Sequence, residues 1–152
     1  MHFKGASLRR YRQHLYLIGQ QHDLPEKIRT SSKPIIWSGE EKLCLFDGRV
    51  NLLFKVSKNT EIAQQQIFFN RDDKIEIYFR WQLSSSLTCL PIGRTGSRSI
   101  KKLLHEYHVP LWLRDWVPFV FINGELKMAV GLWLCETKTT EQQSCCLAIS
   151  FV

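Results

Sequence analysis

The residues best suited to chemistry lie between Gly93 and Pro118, where Arg94, Arg98, Lys101, Lys102 and His105 crowd a short stretch that runs on into Pro110-Leu111-Trp112-Leu113-Arg114. Cations at this density hold anions, and phosphate groups above all. Ile100, Leu103, Leu104 and Tyr107 stand at i, i+3, i+4 and i+7, the period of an amphipathic helix, so the cations fall off its apolar stripe. Ser97 or Ser99 caps the start of this helix. Pro110 marks its end, because the residue before a proline is driven out of the α region. A helix N-terminus already carries about half a positive charge, so Arg98, Lys101 and Lys102 in its first turns predict an anion that offsets the repulsion. Gly93-Arg94-Thr95-Gly96 adds backbone N–H donors just ahead of it; the plain alternative is a solvated basic face. Trp112 and Trp116, at i and i+4, are expected as core anchors that hold Arg114 for a bidentate phosphate contact, against its plain reading as a surface charge.

Other chemistries find less support. His105 and His108 have a spacing that can ligate a metal, but no second pair with ligand spacing joins them, so no metal is expected. Glu106, Asp115 and Asp72-Asp73 fall in different local structures and form no acid–base or nucleophile–base couple. No Gly-rich nucleotide loop is present, so no cofactor is expected in this chain. Near the N-terminus Lys4, Arg9, Arg10 and Arg12 surround Tyr11, either as a second set of phosphate contacts or as a solvated end of an element.

The elements that position these residues follow from pattern. The 152 residues are 44% hydrophobic and 12% aromatic, enough to fold, and 21 Lys and Arg against 14 Asp and Glu favour an acidic partner such as nucleic acid. No apolar run reaches the roughly 18 residues of a membrane span. Five cysteines, odd in number and without a C-x-x-C pair, fit a reducing, cytoplasmic compartment. Strands are predicted at Leu15–Ile18, Pro34–Trp37, Lys42–Phe46 and Val50–Val56, the last two forming a hairpin about Asp47-Gly48, and Ser57–Gln66 reads as a connector. Then follow a half-buried strand over Lys74–Trp81, a short helical turn over Pro110–Trp116, and strands at Phe119–Ile122, Leu126–Val130, Leu132–Cys135 and Leu147–Val152, with a bulge or bend at Gly131. The expected fold is α+β: a small mixed or antiparallel sheet with two short helices over residues 67–152, preceded by a β-rich segment over residues 1–66.

Specific strings carry a resemblance. Leu90-Pro91-Ile92-Gly93-Arg94, Ser97 through Glu106, Val109 through Asp115, Pro118 and Gly131-Leu132-Trp133 resemble the C-terminal domain of bacterial tRNA(Ile)-lysidine synthetases. Upstream, Leu8-Arg9-Arg10-Tyr11-Arg12 with Leu15-Tyr16 resembles the tail of that family's middle domain. The resemblance implies an ATP- and Mg-dependent ligase that joins lysine to the wobble cytidine of an isoleucine tRNA. The Ser-Gly-Gly-x-Asp-Ser loop of its catalytic domain is not in this chain, so tRNA grip carries over and catalysis does not. By resemblance the acceptor stem is the ligand, met by Arg94, Arg98, Lys101, Lys102 and Arg114, with Arg9, Arg10 and Arg12 as secondary contacts. A-form RNA hides its base edges, so fixed cations aimed at phosphates suit such a stem better than a base-reading helix, and no DNA is expected. Ser99 stands where the family usually has another basic residue, and Ile100 where it has leucine. Starting at Met1 without a catalytic domain, the chain is expected to be a fragment, a split gene or a decaying reading frame. A scaffold module docking on a separate catalytic subunit is the alternative, and a KH-like single-strand binder built on Gly93-x-x-Gly96 comes last, since Pro91 opposes a helix before that loop.

Overall fold

The computed structural model describes residues 2–3, 5–19, 26–58, 65–137 and 145–152. In chain order the elements are β1 (His2–Phe3), β2 (Ala6–Tyr11), β3 (His14–Gly19), α1 (Glu26–Arg29), β4 (Ile35–Ile36), β5 (Lys42–Leu45), β6 (Val50–Ser57), β7 (Gln66–Phe69), β8 (Ile75–Tyr78), β9 (Thr88–Cys89) and β10 (Arg98–Ser99). They continue with α2 (Ile100–Glu106), a 3-10 helix over Leu111–Trp116, β11 (Phe119–Ile122), β12 (Glu125–Ala129), β13 (Trp133–Leu134) and β14 (Cys145–Phe151). The molecule is mostly sheet with few helices, and every pairing among the described strands is antiparallel.

Two sheets and a helical layer make the body. A five-stranded sheet runs β13-β12-β11-β8-β4, and a four-stranded sheet runs β5-β6-β14-β7. Strand alternation divides β11 cleanly: Val120 and Ile122 join Leu52, Phe54, Leu147 and Ile149 in the core between the sheets, while Phe119 and Phe121 turn to the other side. That other side receives Ile100, Leu103 and Leu104 of α2, the apolar stripe read from the sequence. A register shift between Val120 and Phe121 in the β11–β12 ladder lets Leu126 share the α2 side with Ala129 while Met128 and Val130 face the four-stranded sheet.

Local signals held and long-range ones were missed. The β5–β6 hairpin turns through Phe46, Asp47 and Gly48, all at positive φ, as its Asp-Gly pair predicts. The predicted strand over Lys74–Trp81 stops at Tyr78, because the Gln82 side-chain oxygen accepts the Phe79 N–H at 2.8 Å and Arg80–Gln82 forms a 3-10 turn that carries Trp81. Glu76 is buried with its neighbours, so β8 is covered on both faces instead of half-buried. Of the bulge or bend expected at Gly131 the structure shows the bend, a turn with φ +75° between β12 and β13, and the sheet's register shift lies at Val120–Phe121. Strands on either side of residue 66 share both sheets: β14 pairs with β6 from Cys146↔Ser57 to Phe151↔Leu52, and β4 pairs with β8. Two smaller sheets stand apart, β1-β2-β3 at the N-terminus and the β9–β10 pair. Lys4 and most of the expected connector, residues 59–64, lie outside the described residues.

Candidate nucleic-acid interface

The loop from Leu90 to Ser97 joins β9 to β10 and carries Arg94, and its base is fastened to the end of β13. Ile92 N–H donates to Leu134 O at 2.9 Å, Glu136 N–H donates to Leu90 O at 2.8 Å, and Pro91 bridges Cys135. Cys89 and Cys135, both buried, form a disulfide with Cα atoms 6.1 Å apart. The odd cysteine count and the absence of C-x-x-C gave no hint of this pair, which the antiparallel sheet brings together across 46 residues. Gly93 and Gly96 hold φ of +82° and +87°, and a Cβ on Gly96 would lie 3.1 Å from Arg98 Nη1. The loop thereby brings Arg94 and Arg98 to one place.

There both arginines meet a carboxylate. Arg94 Nη1 donates to Glu106 Oε2 at 2.8 Å and its guanidinium lies 4.9 Å from the centre of the Tyr107 ring, while Arg98 Nε stands 3.6 Å from Glu106 Oε1. These groups are a quarter to nearly half exposed, so the pairs contribute only about 0.2–1 kcal/mol to stability and serve mainly to aim the guanidiniums. Two cations against one carboxylate leave a positive balance. Lys101 and Lys102, both exposed on the outward face of α2, extend it, with exposed His105 beside them. Glu106 follows Lys102 by four residues, so its place on the basic face is readable from helix spacing.

The helix start is less open than expected. Ser99 is the N-cap, its Oγ accepting the Lys102 N–H at 3.3 Å, and α2 is only seven residues long. Side chains, not free amides, give this face its positive charge.

Arg114 is a correction. It is 4% exposed, and its Nε donates to Val109 O at 2.9 Å, so it fastens the 3-10 helix to the end of α2 instead of standing at the surface for a phosphate. The two tryptophans also part company. Trp116 is buried in the core between the sheets, whereas Trp112 is half-buried beneath the N-terminal hairpin, 6.1 Å from Tyr11 and 5.4 Å from Tyr16. Asp115 next door accepts from Arg29 at 3.0 Å and lies 3.7 Å from Arg80.

Arg9, Arg10 and Arg12 belong to the hairpin β2–β3, not to a segment before a first strand. Arg9 lies 5.7 Å over the Trp112 ring, Arg10 Nε donates to Arg12 O at 3.1 Å, and Arg12 Nη1 reaches His108 Nε2 at 3.1 Å. The hairpin thus brings a second set of arginines to the far end of α2. Among the described residues no three His, Cys, Asp or Glu side chains group as a metal centre requires, and no helix is long and apolar enough to cross a membrane. On the sheet, Tyr78 has its phenol pushed above the ordinary range, first by desolvation and then by the Glu76 carboxylate, which makes it a neutral donor and not a base. A strand, β9, precedes the Gly93–Gly96 loop, so the two-helix frame of a KH loop is absent.

Comparison with known proteins decides the family. Residues 75–151 match the family described as the TilS substrate C-terminal domain. The chain belongs to that family. A tRNA(Ile)-lysidine synthase from Buchnera aphidicola subsp. Schizaphis graminum is 29% identical over 136 residues, 90% of this chain and 27% of the relative. One from Legionella pneumophila strain Paris is 33% identical over 125 residues, 82% of this chain and 25% of the relative. The chain therefore spans about a quarter of the length of these relatives. A crystal structure of a TILS C-terminal domain superposes with a TM-score of 0.52 at 14% identity, over 78% of this chain and 98% of that one.

Proposed function

We propose that this chain is the tRNA-binding C-terminal part of a tRNA(Ile)-lysidine synthetase, gripping the acceptor stem of the tRNA through the outward face of α2 and the loop before it. The parent reaction, ATP- and Mg-dependent ligation of lysine to the wobble cytidine, belongs in this reading to a catalytic domain outside the chain, and the setting is the bacterial cytoplasm. One observation carries the reading: Arg94, Arg98, Lys101 and Lys102 converge on one face and outnumber the single carboxylate there, Glu106. The relatives' names supply the identity of the RNA.

The physical task fits the residues. A duplex stem in the A form offers two rails of phosphate and 2′-hydroxyl groups, and guanidiniums aimed by a carboxylate can meet them bidentately while the lysines add mobile point charges. Arg114 acts in this reading by holding Val109, and so the end of α2, in place. Arg9, Arg10 and Arg12 extend the grip along the helix toward the N-terminal hairpin.

The test is electrostatic. With about four phosphates neutralised, the logarithm of tRNA affinity should fall against the logarithm of salt with a slope of about −3 to −4. A slope near zero would defeat the proposal. Docking on a separate catalytic subunit, the other reading, predicts no RNA affinity for the chain alone and co-purification with a protein that bears the Ser-Gly-Gly-x-Asp-Ser loop.

A further inference from the structure

A cavity opens between the start of α2 and the serine loop that follows the Arg80–Gln82 turn. It measures ≈ 310 Å³ and is lined by Arg80, Ser84, Ser85, Ser99 and Lys101, with three aliphatic side chains, Ile100 among them. Among the described residues no carboxylate lines it. The β9–β10 pairing explains why these groups meet, since Ser99↔Thr88 sets the helix start beside the loop of residues 83–87, and Arg80 lies just before that loop.

Neighbours hold each side of the cavity in place. Arg80 sits on a 3-10 turn whose Gln82 side chain accepts from Phe79 N–H at 2.8 Å and donates to Lys33 O at 2.7 Å, and Trp81 stacks on Phe79 with ring centres 5.1 Å apart. Leu87 N–H donates to Ser84 O at 3.1 Å and Ser86 N–H to Ser84 Oγ at 3.3 Å, which closes the serine turn. Ser99 Oγ accepts the Lys102 N–H, so its own proton is left to donate and no α2 amide is needed. Asp115, 3.7 Å from Arg80 Nη1, stands outside the lining and also holds Arg29 at 3.0 Å. One carboxylate is thus divided between two arginines, and Lys101 adds a further charge.

We infer that this cavity binds one phosphate group, with Arg80 and Lys101 supplying the charge and the Ser85 and Ser99 hydroxyls the neutral donors. A carboxylate accepts best near its own plane, whereas the donors here come from separate segments around one space, which suits tetrahedral oxygens. The aliphatic part of the lining suits the sugar carbons on either side of a backbone phosphate. The source of the group rests on the tRNA reading: there it belongs to the RNA strand, and the contact carries the interface from α2 onto Arg80.

The experiment titrates the full chain with inorganic phosphate, dimethyl phosphate and acetate in turn at constant ionic strength, following the Arg80 Nε–H and Ser99 backbone N–H signals by NMR. Both phosphates should move the two signals along one saturation curve, and acetate should need about tenfold more. Arg80→Gln should weaken inorganic phosphate about tenfold, the loss of a charge-assisted hydrogen bond, read at Ser99. Ser85→Asp, which puts a carboxylate into the lining on an exposed residue, should weaken it at least as much with an unchanged urea midpoint. Against tRNA, Arg80→Gln should flatten the salt slope by about one. Signals unmoved by phosphate up to about 0.1 M overturn the site, as does acetate binding equal to phosphate, which marks a dock for acidic side chains. Phosphate binding with a tRNA slope that Arg80→Gln leaves unchanged overturns the RNA strand as the source and leaves a site for free phosphate. If tRNA binds with the expected slope while neither phosphate moves a signal, the cavity fails and the basic face stands. If both phosphates bind while tRNA does not, the cavity stands and the RNA reading fails.

Discussion

Two residues apart at the end of α2, arginines meet different partners: Glu106 takes Arg94 and Arg98 at 2.8 and 3.6 Å, while His108 meets Arg12 at 3.1 Å beside a cavity that no carboxylate lines among the described residues. The first arrangement aims its guanidiniums and spends part of their charge. The second keeps its charge and leaves space beside an aromatic wall. In the proposed reading a duplex rail suits the first, whose guanidiniums are aimed, better than the second. Arg114, buried on Val109 O, belongs to neither.

The largest expected effect comes from reversing the exposed lysine charges on the outward face of α2. Lys101→Glu with Lys102→Glu should lower tRNA affinity by more than about tenfold at 0.1 M salt and flatten the salt slope by about two. Fluorescence anisotropy across a salt series reads both numbers, and an unchanged slope would remove the helix face from the interface.

Arg114→Met should act on the fold instead. Removing the guanidinium strands a buried carbonyl oxygen, so stability to urea should fall by about 1–3 kcal/mol, while protein that remains folded keeps the parent salt slope. A lost slope with intact stability would return Arg114 to the RNA-contacting set.

These two variants also show what the sequence could and could not reveal. The α2 stripe and the Asp47-Gly48 hairpin were legible because each is decided by residues within a few positions: Ile100, Leu103 and Leu104 at helical spacing, and a turn that only certain residues adopt. Arg114 was not legible, since Val109 O and the packing that buries the side chain depend on where the 3-10 helix lands against the sheet. The same holds for β14 between β6 and β7, for Cys89 against Cys135, and for Arg12 against His108, all pairings between distant parts of the chain. Trp81 failed for a local reason that alternation hides, the Gln82 side chain capturing the Phe79 N–H and ending the strand. Of the candidate cations, charge and spacing found the α2 set, and spacing also puts Glu106 on that face; its pairing with Arg94 and Arg98 needed the folded loop.

A smaller effect is expected at the cap. Ser99→Ala removes the hydrogen bond to Lys102 N–H and should cost about 1 kcal/mol, read as a lowered urea midpoint, with a salt slope that stays put because the amides at that end carry no phosphate. Smallest in stability is Glu106→Gln, below about 1 kcal/mol for a partly exposed pair. It should raise affinity for an unrelated RNA duplex and narrow the preference for tRNA, as the guanidiniums lose their aim. Equal preference before and after would mean that Glu106 tunes charge without directing it.

The most direct measurement is chemical-shift mapping of the labelled chain on titration with tRNA. The account predicts that Arg94, Arg98, Lys101 and Lys102 move first and furthest and that the Arg114 side chain stays still. Shifts confined to the β4 and β5 edges, with α2 silent, would contradict it.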